Sequence, residues 1–404
     1  MTPRVLTDEA IRRALDPSFD VLAPPELTER VASAIARQPR RGGLWFLASP
    51  AWRRQAQLLV QLIILALLLV LLTVGAVLIA GLPNRPLGNG SIFVVRGSEL
   101  VAIDGETGDA KALIAEGSAV SAVSRSPNGG WVSLWTGSGP DKRLEVMRSD
   151  GTGRRPLAEG VQPRPVGMDG INLWSHDEQF HAADVLASGS RRILIVEVAS
   201  GKGWLIGPES GAMAPLWSPD GEWIAFRLSR PAGAPATLAV MRRDGSEVRE
   251  IAGDLGGREV SGANNWSADG EWVYFDAGGH IFRANVRGGY SEQLTVAGVN
   301  AAPALSPDDQ LVTYTLWFRG YGQPPDLYVM NADGGSPRLL LERAINNGWS
   351  SDGRSVLAEQ HRQNQPAELV TVSIDAGTTR TLLTSEGPCQ MPCFGGPSWG
   401  QPRP

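Results

Sequence analysis

The sequence predicts an all-β protein: a seven-bladed β-propeller carried behind one transmembrane helix and a short helical N-terminal head. Three observations predict it. The phrase Trp217-Ser218-Pro219-Asp220-Gly221-Glu222-Trp223 returns as Trp266-Ser267-Ala268-Asp269-Gly270-Glu271-Trp272, and in reduced form around Ser126, Ser175, Ser306 and Ser350. The steps between these serines are 49, 43, 49, 39 and 44 residues, a period that marks a propeller or a solenoid. Short hairpins with Asp-Gly turns fall between the copies. An uncharged apolar run, Leu58 to Leu82, precedes them all. The domains expected are a helical cytoplasmic region over 1–56, a span over 57–82, a linker over 83–90 and the propeller over 91–400.

The head comes first. Thr7 can cap a helix that opens on Asp8 and Glu9, where carboxylates favour the positive helix end. Pro25 suits the first turn of a second helix, in which Leu27, Val31 and Ile35 share one apolar stripe. Residues 1–56 hold nine arginines and six acids, so they carry +3 and the remainder carries −8 of the net −5. An acidic repeat domain lacks the basic face that phosphate backbones require, which excludes nucleic acid as its partner.

The span follows. A helix of 25 residues is about 37 Å long, enough to cross a hydrocarbon core of about 30 Å. Arg37, Arg40, Arg41, Arg53 and Arg54 lie just before it, and only Arg85 and Arg96 just after. The positive-inside rule then places the N-terminus in the cytoplasm and residues 83–404 outside the plasma membrane. The head, ending in an arginine-rich turn before a single span, resembles the juxtamembrane tail of bacterial anti-sigma factors. That resemblance implies a cytoplasmic protein partner such as a sigma factor on residues 1–56. The zinc site of the metal-binding members is not implied, because no His or Cys precedes residue 176.

The repeats come next. Pro219 fixes φ, Asp220 can bond the local backbone, and Gly221 suits the left-handed position of a tight turn. An alternating strand follows, as in Trp223 to Phe226, and then a hairpin. Hairpins are expected over 99–115, 143–158, 192–207, 237–252, 280–295, 326–341 and 368–383, with about 44 residues per four-stranded blade. The first hairpin has no such phrase ahead of it, and Pro397-Ser398-Trp399-Gly400 is a lone copy of the strand that leads into one. The C-terminal strand is therefore expected to become the innermost strand of the first blade and remove an exposed edge. The alternative is a six-bladed ring.

The units resemble the TolB-like, WD-like repeat of bacterial propellers, most closely at Trp217 to Gly221, Trp266 to Gly270 and Leu327 to Gly335. Asn128, His176 and Asp309 depart from its pattern. The resemblance implies a scaffold for protein–protein contact in the cell envelope.

Chemistry is sparse. Asp220, Asp269, Asp308 and Asp352 read as turn-makers rather than calcium ligands, since each sits in its own blade. Trp174, Trp217, Trp266, Trp349 and Trp399 share one repeat position and read as packing between blades. His176, His181, His280 and His361 read as surface or turn residues. Cys389 and Cys393 face an oxidising compartment and can close a small loop as a disulfide, with two free thiols as the alternative. No His-Glu-x-x-His, P-loop or dinucleotide fingerprint occurs, no nucleophile elbow is identified, and no α/β-hydrolase domain is expected after the closing strand. No catalytic residue, metal or cofactor is expected, and the chain is read as a non-catalytic binding or sensing module. Its binding surface is expected on the variable connections Leu228 to Pro235, Phe318 to Pro325 and Ser385 to Pro397, which would take a protein or envelope ligand.

Overall fold

The computed structural model describes residues 90–105, 107–115, 117–137, 142–157, 173–187, 189–231, 234–317, 323–387 and 393–398. The expected head, span and most of the linker lie outside them. Among the described residues no helix is long and apolar enough to cross a membrane.

Every expected hairpin forms. Blade 1 holds β1 (Ser91–Arg96), β2 (Glu99–Asp104) and β3 (Ala110–Ile114). Blade 2 holds β4 (Ala122–Arg125), β5 (Trp131–Thr136), β6 (Arg143–Arg148) and β7 (Arg155–Pro156). Blade 3 holds β8 (Phe180–Ala187), β9 (Ser190–Glu197) and β10 (Gly203–Ile206), with its innermost position reduced to the bridge Trp174↔His181. Blade 4 runs through β11 (Ala212–Trp217), β12 (Trp223–Leu228), β13 (Thr237–Arg242) and β14 (Arg249–Glu250). Blade 5 runs through β15 (Val260–Trp266), β16 (Trp272–Ala277), β17 (His280–Asn285) and β18 (Tyr290–Gln293). Blade 6 holds β19 (Val299–Leu305), β20 (Leu311–Trp317), β21 (Asp326–Asn331) and β22 (Arg338–Leu341). Blade 7 holds β23 (Ala344–Trp349), β24 (Ser355–Gln360), β25 (Glu368–Ser373) and β26 (Thr379–Thr384). The last strand, β27 (Gly395–Ser398), pairs antiparallel with β1 through Phe93↔Ser398 and Val95↔Gly395. The sheet order β27-β1-β2-β3 makes it the innermost strand of blade 1. The described residues form seven sheets, so the six-bladed alternative falls.

The core explains the strand pattern. Successive side chains of a strand point to opposite faces, and in a ring of blades both faces are covered. Ile92 and Val94 pack towards blade 7, with Leu357 and Leu369. Their neighbours Phe93 and Val95 pack towards blade 2, with Val132 and Leu134. Seven such apolar clusters form among the described residues, each shared by two adjacent blades. Each buried large side chain contributes about 1.5–3 kcal/mol, and no blade can collect that contribution alone.

The repeated phrase builds one turn six times. In blade 4, Ser218 Oγ donates to Asp220 Oδ1 (2.5 Å) and accepts from Trp223 N (2.9 Å), while Asp220 Oδ1 accepts from Glu222 N (3.0 Å). The same set recurs at Ser175, Ser267, Ser306 and Ser350. Gly221 sits at φ +69, a region that disfavours Cβ. Where the phrase departs from glycine, Glu178 and Asp309 still adopt φ 58. Each uses its carboxylate: Glu178 Oε1 accepts from Asn128 N (2.6 Å) and Asp309 Oδ2 from Ala268 N (2.7 Å), both in the preceding blade. Ala268 stands where the phrase of blade 4 has Pro219, so it exposes an N–H that proline lacks. Asp309 supplies the acceptor, which offsets part of its backbone strain.

The blades are tied at their turns and at the rim. Trp217 Nε1 donates to Leu173 O (3.3 Å), Trp266 Nε1 to Leu216 O (3.1 Å) and Trp349 Nε1 to Ala304 O (2.8 Å), always into the preceding blade. The shared tryptophans are thus packing residues with a polar tether. Trp399 lies outside the described residues. At the rim, Arg155, Arg249 and Arg338 each donate to a carbonyl of the next blade, at Val198, Val286 and Ile374.

Two histidines depart from expectation. His181 is fully buried, with Nε2 2.9 Å from Ser133 Oγ and its ring edge-on to Trp174. Burial drives its pKa down to about 3, so it is a neutral core residue. His361 is also buried, with Nε2 2.7 Å from Glu359 Oε1. Neither is a surface residue; the partner of His181 is 48 residues away, while that of His361 is its near neighbour on the same strand end.

Candidate ligand site on the loop face

Antiparallel strands sort the connections into two sets. The phrase turns and the hairpin turns after each third strand lie at one end of the blades. The connections between second and third strands, and those between blades, lie at the other. All three variable connections singled out from sequence belong to this second set, the loop face.

At the loop-face ends of blades 3, 4 and 5 is a pocket of about 460 Å³ lined by Arg191, Met213, Ala214, Arg227, Ser229 and Ser261. Strand ends place these residues: Arg191 is second in β9, Met213 and Ala214 second and third in β11, Arg227 next to last in β12 and Ser261 second in β15. β11 carries a bulge between Met213 and Leu216, with Ala214 at φ 51. Bulges re-aim side chains. Here Met213 Sδ accepts from Arg191 Nη1 (2.8 Å) and lies 3.8 Å from Arg227 Nη1, so two guanidiniums meet over one sulfur. Arg227 also donates to Val260 O (2.7 Å) and pairs with Glu259.

Behind the pocket is Asp184, whose two oxygens accept from Ala214 N at 3.0 and 3.1 Å. Burial pushes its carboxyl up to about 6, against the pull of the Ala214 bond and the Arg191 charge. Burial likewise raises Asp276, opposed by hydrogen bonds from the Ser261 side chain and the Ala302 backbone.

Asp184 and Asp276 belong to a series that sequence reasoning missed. Nine residues after the phrase serine, five consecutive blades carry Asp184, Arg227, Asp276, Thr315 and Glu359. Each reaches across to the next blade. Asp184 accepts from Ala214 N, Arg227 donates to Val260 O, Asp276 accepts from the Ala302 backbone, and Thr315 Oγ1 accepts from Asn346 N (3.1 Å). Glu359, with no exposed surface, accepts from Cys393 N (2.6 Å) and Phe394 N (3.4 Å) in the closing segment. The signal available was a polar residue at a fixed offset inside an apolar strand. It was masked because the residue type changes from blade to blade.

Glu359, His361 and Cys393 bring three donor atoms within 4.8 Å of one another. Cys393 is disulfide-bonded, and metals bind the thiolate. The remaining two donors fall short of a structural zinc set, and the cluster is accounted for by anchoring the closing segment. The chain's other cysteine, Cys389, lies outside the described residues.

The phrase aspartates hold turns, each by the bonds given above. One motif was overlooked in the sequence: Gly396-Pro397-Ser398-Trp399-Gly400 has the Gly-x-Ser-x-Gly form. Ser398 lies within β27, opposite Phe93, and not on the strand-to-helix turn that exposes a nucleophile.

The fold and its ties define a β-propeller with a variable, pocket-bearing face. The chain belongs to the TolB beta propeller domain family, whose model matches residues 171–401. Among solved structures it is similar to TolB from Acinetobacter baumannii, with 17% identity and a TM-score of 0.48 over 76% of this chain and 80% of that one. It is similar to an oligogalacturonate lyase from Vibrio parahaemolyticus, with 15% identity and a TM-score of 0.51 over 65% of this chain and 80% of that one. It is also similar to a prolyl endopeptidase, with 13% identity and a TM-score of 0.57 over 75% of this chain and 49% of that one. The search of the curated proteins returned no match.

These neighbours correct one expectation. Enzymes share this propeller, so the exclusion of catalysis drawn from the sequence is withdrawn. At 13–15% identity the likeness shows the fold and establishes no activity.

Proposed function

We propose that the chain is a membrane-anchored, extracytoplasmic propeller that binds a protein or envelope ligand on its loop face and passes that state to a cytoplasmic partner of residues 1–56. The observation that supports the binding half is the division of the ring. The turn face repeats one hydrogen-bond set, while the loop face carries the variable connections and the pocket between blades 3 and 5. Rigid scaffolds present ligands with loops of this kind. The uncharged run over 58–82 and the arginines before it support the anchor and its direction. A sigma factor is the partner class that the anti-sigma resemblance supports for the head. Family membership supports a second reading, a scaffold for protein contacts in the envelope.

Crosslinking and mass spectrometry on the full-length chain in its native membrane tests both. Loop-face crosslinks to an envelope protein together with head crosslinks to a cytoplasmic regulator are the expected result. Loop-face crosslinks with a silent head would leave the scaffold reading; crosslinks confined to the turn face would overturn the proposal. Protease added from outside should cleave within 83–404 and spare 1–56. The reverse pattern sinks the topology.

A further inference from the structure

The geometry points to the pocket between blades 3, 4 and 5 as a carboxylate-binding site, with Arg191 as its principal ligand. This rests on the reading of the loop face as the binding surface and names the chemistry it recognises.

Two cations converge on one neutral acceptor. Arg191 Nη1 bonds the Met213 thioether at 2.8 Å and Arg227 Nη1 stands 3.8 Å from the same sulfur. A thioether is a weak acceptor and does nothing to relieve repulsion between two guanidiniums. The acids nearby are committed elsewhere. Asp184 feels the Arg191 charge but spends both oxygens on the Ala214 N–H, Asp276 takes the Ser261 and Ala302 bonds, and Glu259 pairs with Arg227. Among the described residues, the Met213 sulfur is the hydrogen-bond acceptor of Arg191, and its fork has donors to spare. An anion placed in the pocket would complete it.

The walls narrow the class. Met213 and Ala214 supply an apolar side and Ser229 supplies a hydroxyl, while the Ser261 hydroxyl is held by Asp276. A planar carboxylate matches a guanidinium fork in bidentate fashion, and a short aliphatic stem suits the thioether wall. The pocket volume, about 460 Å³, lies within the range of small-ligand sites. The carboxylate can belong to a free small acid or to an acidic segment of a protein partner.

Two probes separate those sources: glutarate and a hexaglutamate peptide, titrated calorimetrically into the full-length chain. Saturable binding of either supports the site. Tighter binding of the peptide assigns it to a protein segment, and equal or tighter binding of glutarate assigns it to a free acid. Arg191→Gln is expected to weaken binding at least about tenfold, the scale of one charge-assisted bond. Arg191→Lys keeps the charge but loses the fork and is expected to weaken it about threefold to tenfold. Unchanged thermal midpoints show that the variants are folded; if Gln fails that control, Lys decides. Absence of saturable binding of both probes, or binding indifferent to both Arg191 variants, overturns the site. If probes fail while loop-face crosslinks to a partner persist, only this inference falls. If probes bind and those crosslinks are absent, the functional reading falls instead.

Discussion

The two ends of the ring are built from the same strands to opposite rules. On the turn face one arrangement is copied, down to the Ser–Asp bond of 2.5–2.6 Å in five blades. Arginines even lie over the tryptophans that open second strands, as Arg148 does on Trp131 at 3.8 Å and Arg242 on Trp223 at 4.4 Å. On the loop face the connections range from Gly278-Gly279 between β16 and β17 to the stretch 229–236 between β12 and β13. The difference teaches where the constraint lies. Turns that set blade geometry must repeat, while strand ends already fixed by the ring leave their connections open to vary.

Four experiments break or sharpen this division. The largest effect is expected where the loop face holds the closing strand. Glu359→Ala leaves the N–H groups of Cys393 and Phe394, and His361, without their buried acceptor. Urea unfolding should show a loss of about 3–5 kcal/mol; a loss below about 1 kcal/mol would mean that the closing segment is held by other means.

Next is Asp184→Asn. The folded pKa, about 6, lies above the ordinary 3.8, so the native state binds the proton more tightly. The contribution of Asp184 to stability is then greatest at low pH and falls as pH rises from about 4 to 6, before levelling off. Asparagine retains an acceptor for Ala214 N and removes the buried charge. It should gain about 3 kcal/mol at pH 7, nothing at pH 3.5, and flatten the profile between. A parallel shift at all pH values would contradict the assignment.

Smaller still is Ser218→Ala on the turn face, which removes the acceptor of Trp223 N and the donor to Asp220. A loss of about 1–2 kcal/mol in chemical denaturation is expected, with carboxylate binding unchanged. The smallest is replacement of 230–235 by Gly-Asn. The ion pair it removes, Arg230 with Glu250, is well exposed and worth little. Stability should stay within about 0.5 kcal/mol while loop-face crosslinks change. A large loss there would erase the contrast between the faces.

The fold was legible because its signals are local. Asp244-Gly245 and Asp333-Gly334 announce hairpins, and the lone strand before Trp399 announced closure. The candidate site was legible only as a region. Its residues come from three blades, and nothing in Arg191 or Met213 alone distinguishes either from an ordinary strand residue. The contacts that matter, Arg191 with Met213 and Ala214 with Asp184, depend on a bulge in β11 whose presence no residue type announces. His181 was misplaced for a similar reason, since its partner Ser133 is 48 residues away.

The pairing of β27 with β1 has a consequence in time. During synthesis β1 emerges first, and the strand that completes its sheet follows roughly 300 residues later. At about 5–20 residues per second, its inner edge waits roughly 15–60 s for a partner. Throughout that interval a neighbouring chain's last strand fits it as well as its own does. The ring is thus most exposed to strand exchange while it is being made, and crowding of nascent chains is the condition under which linked rings would arise.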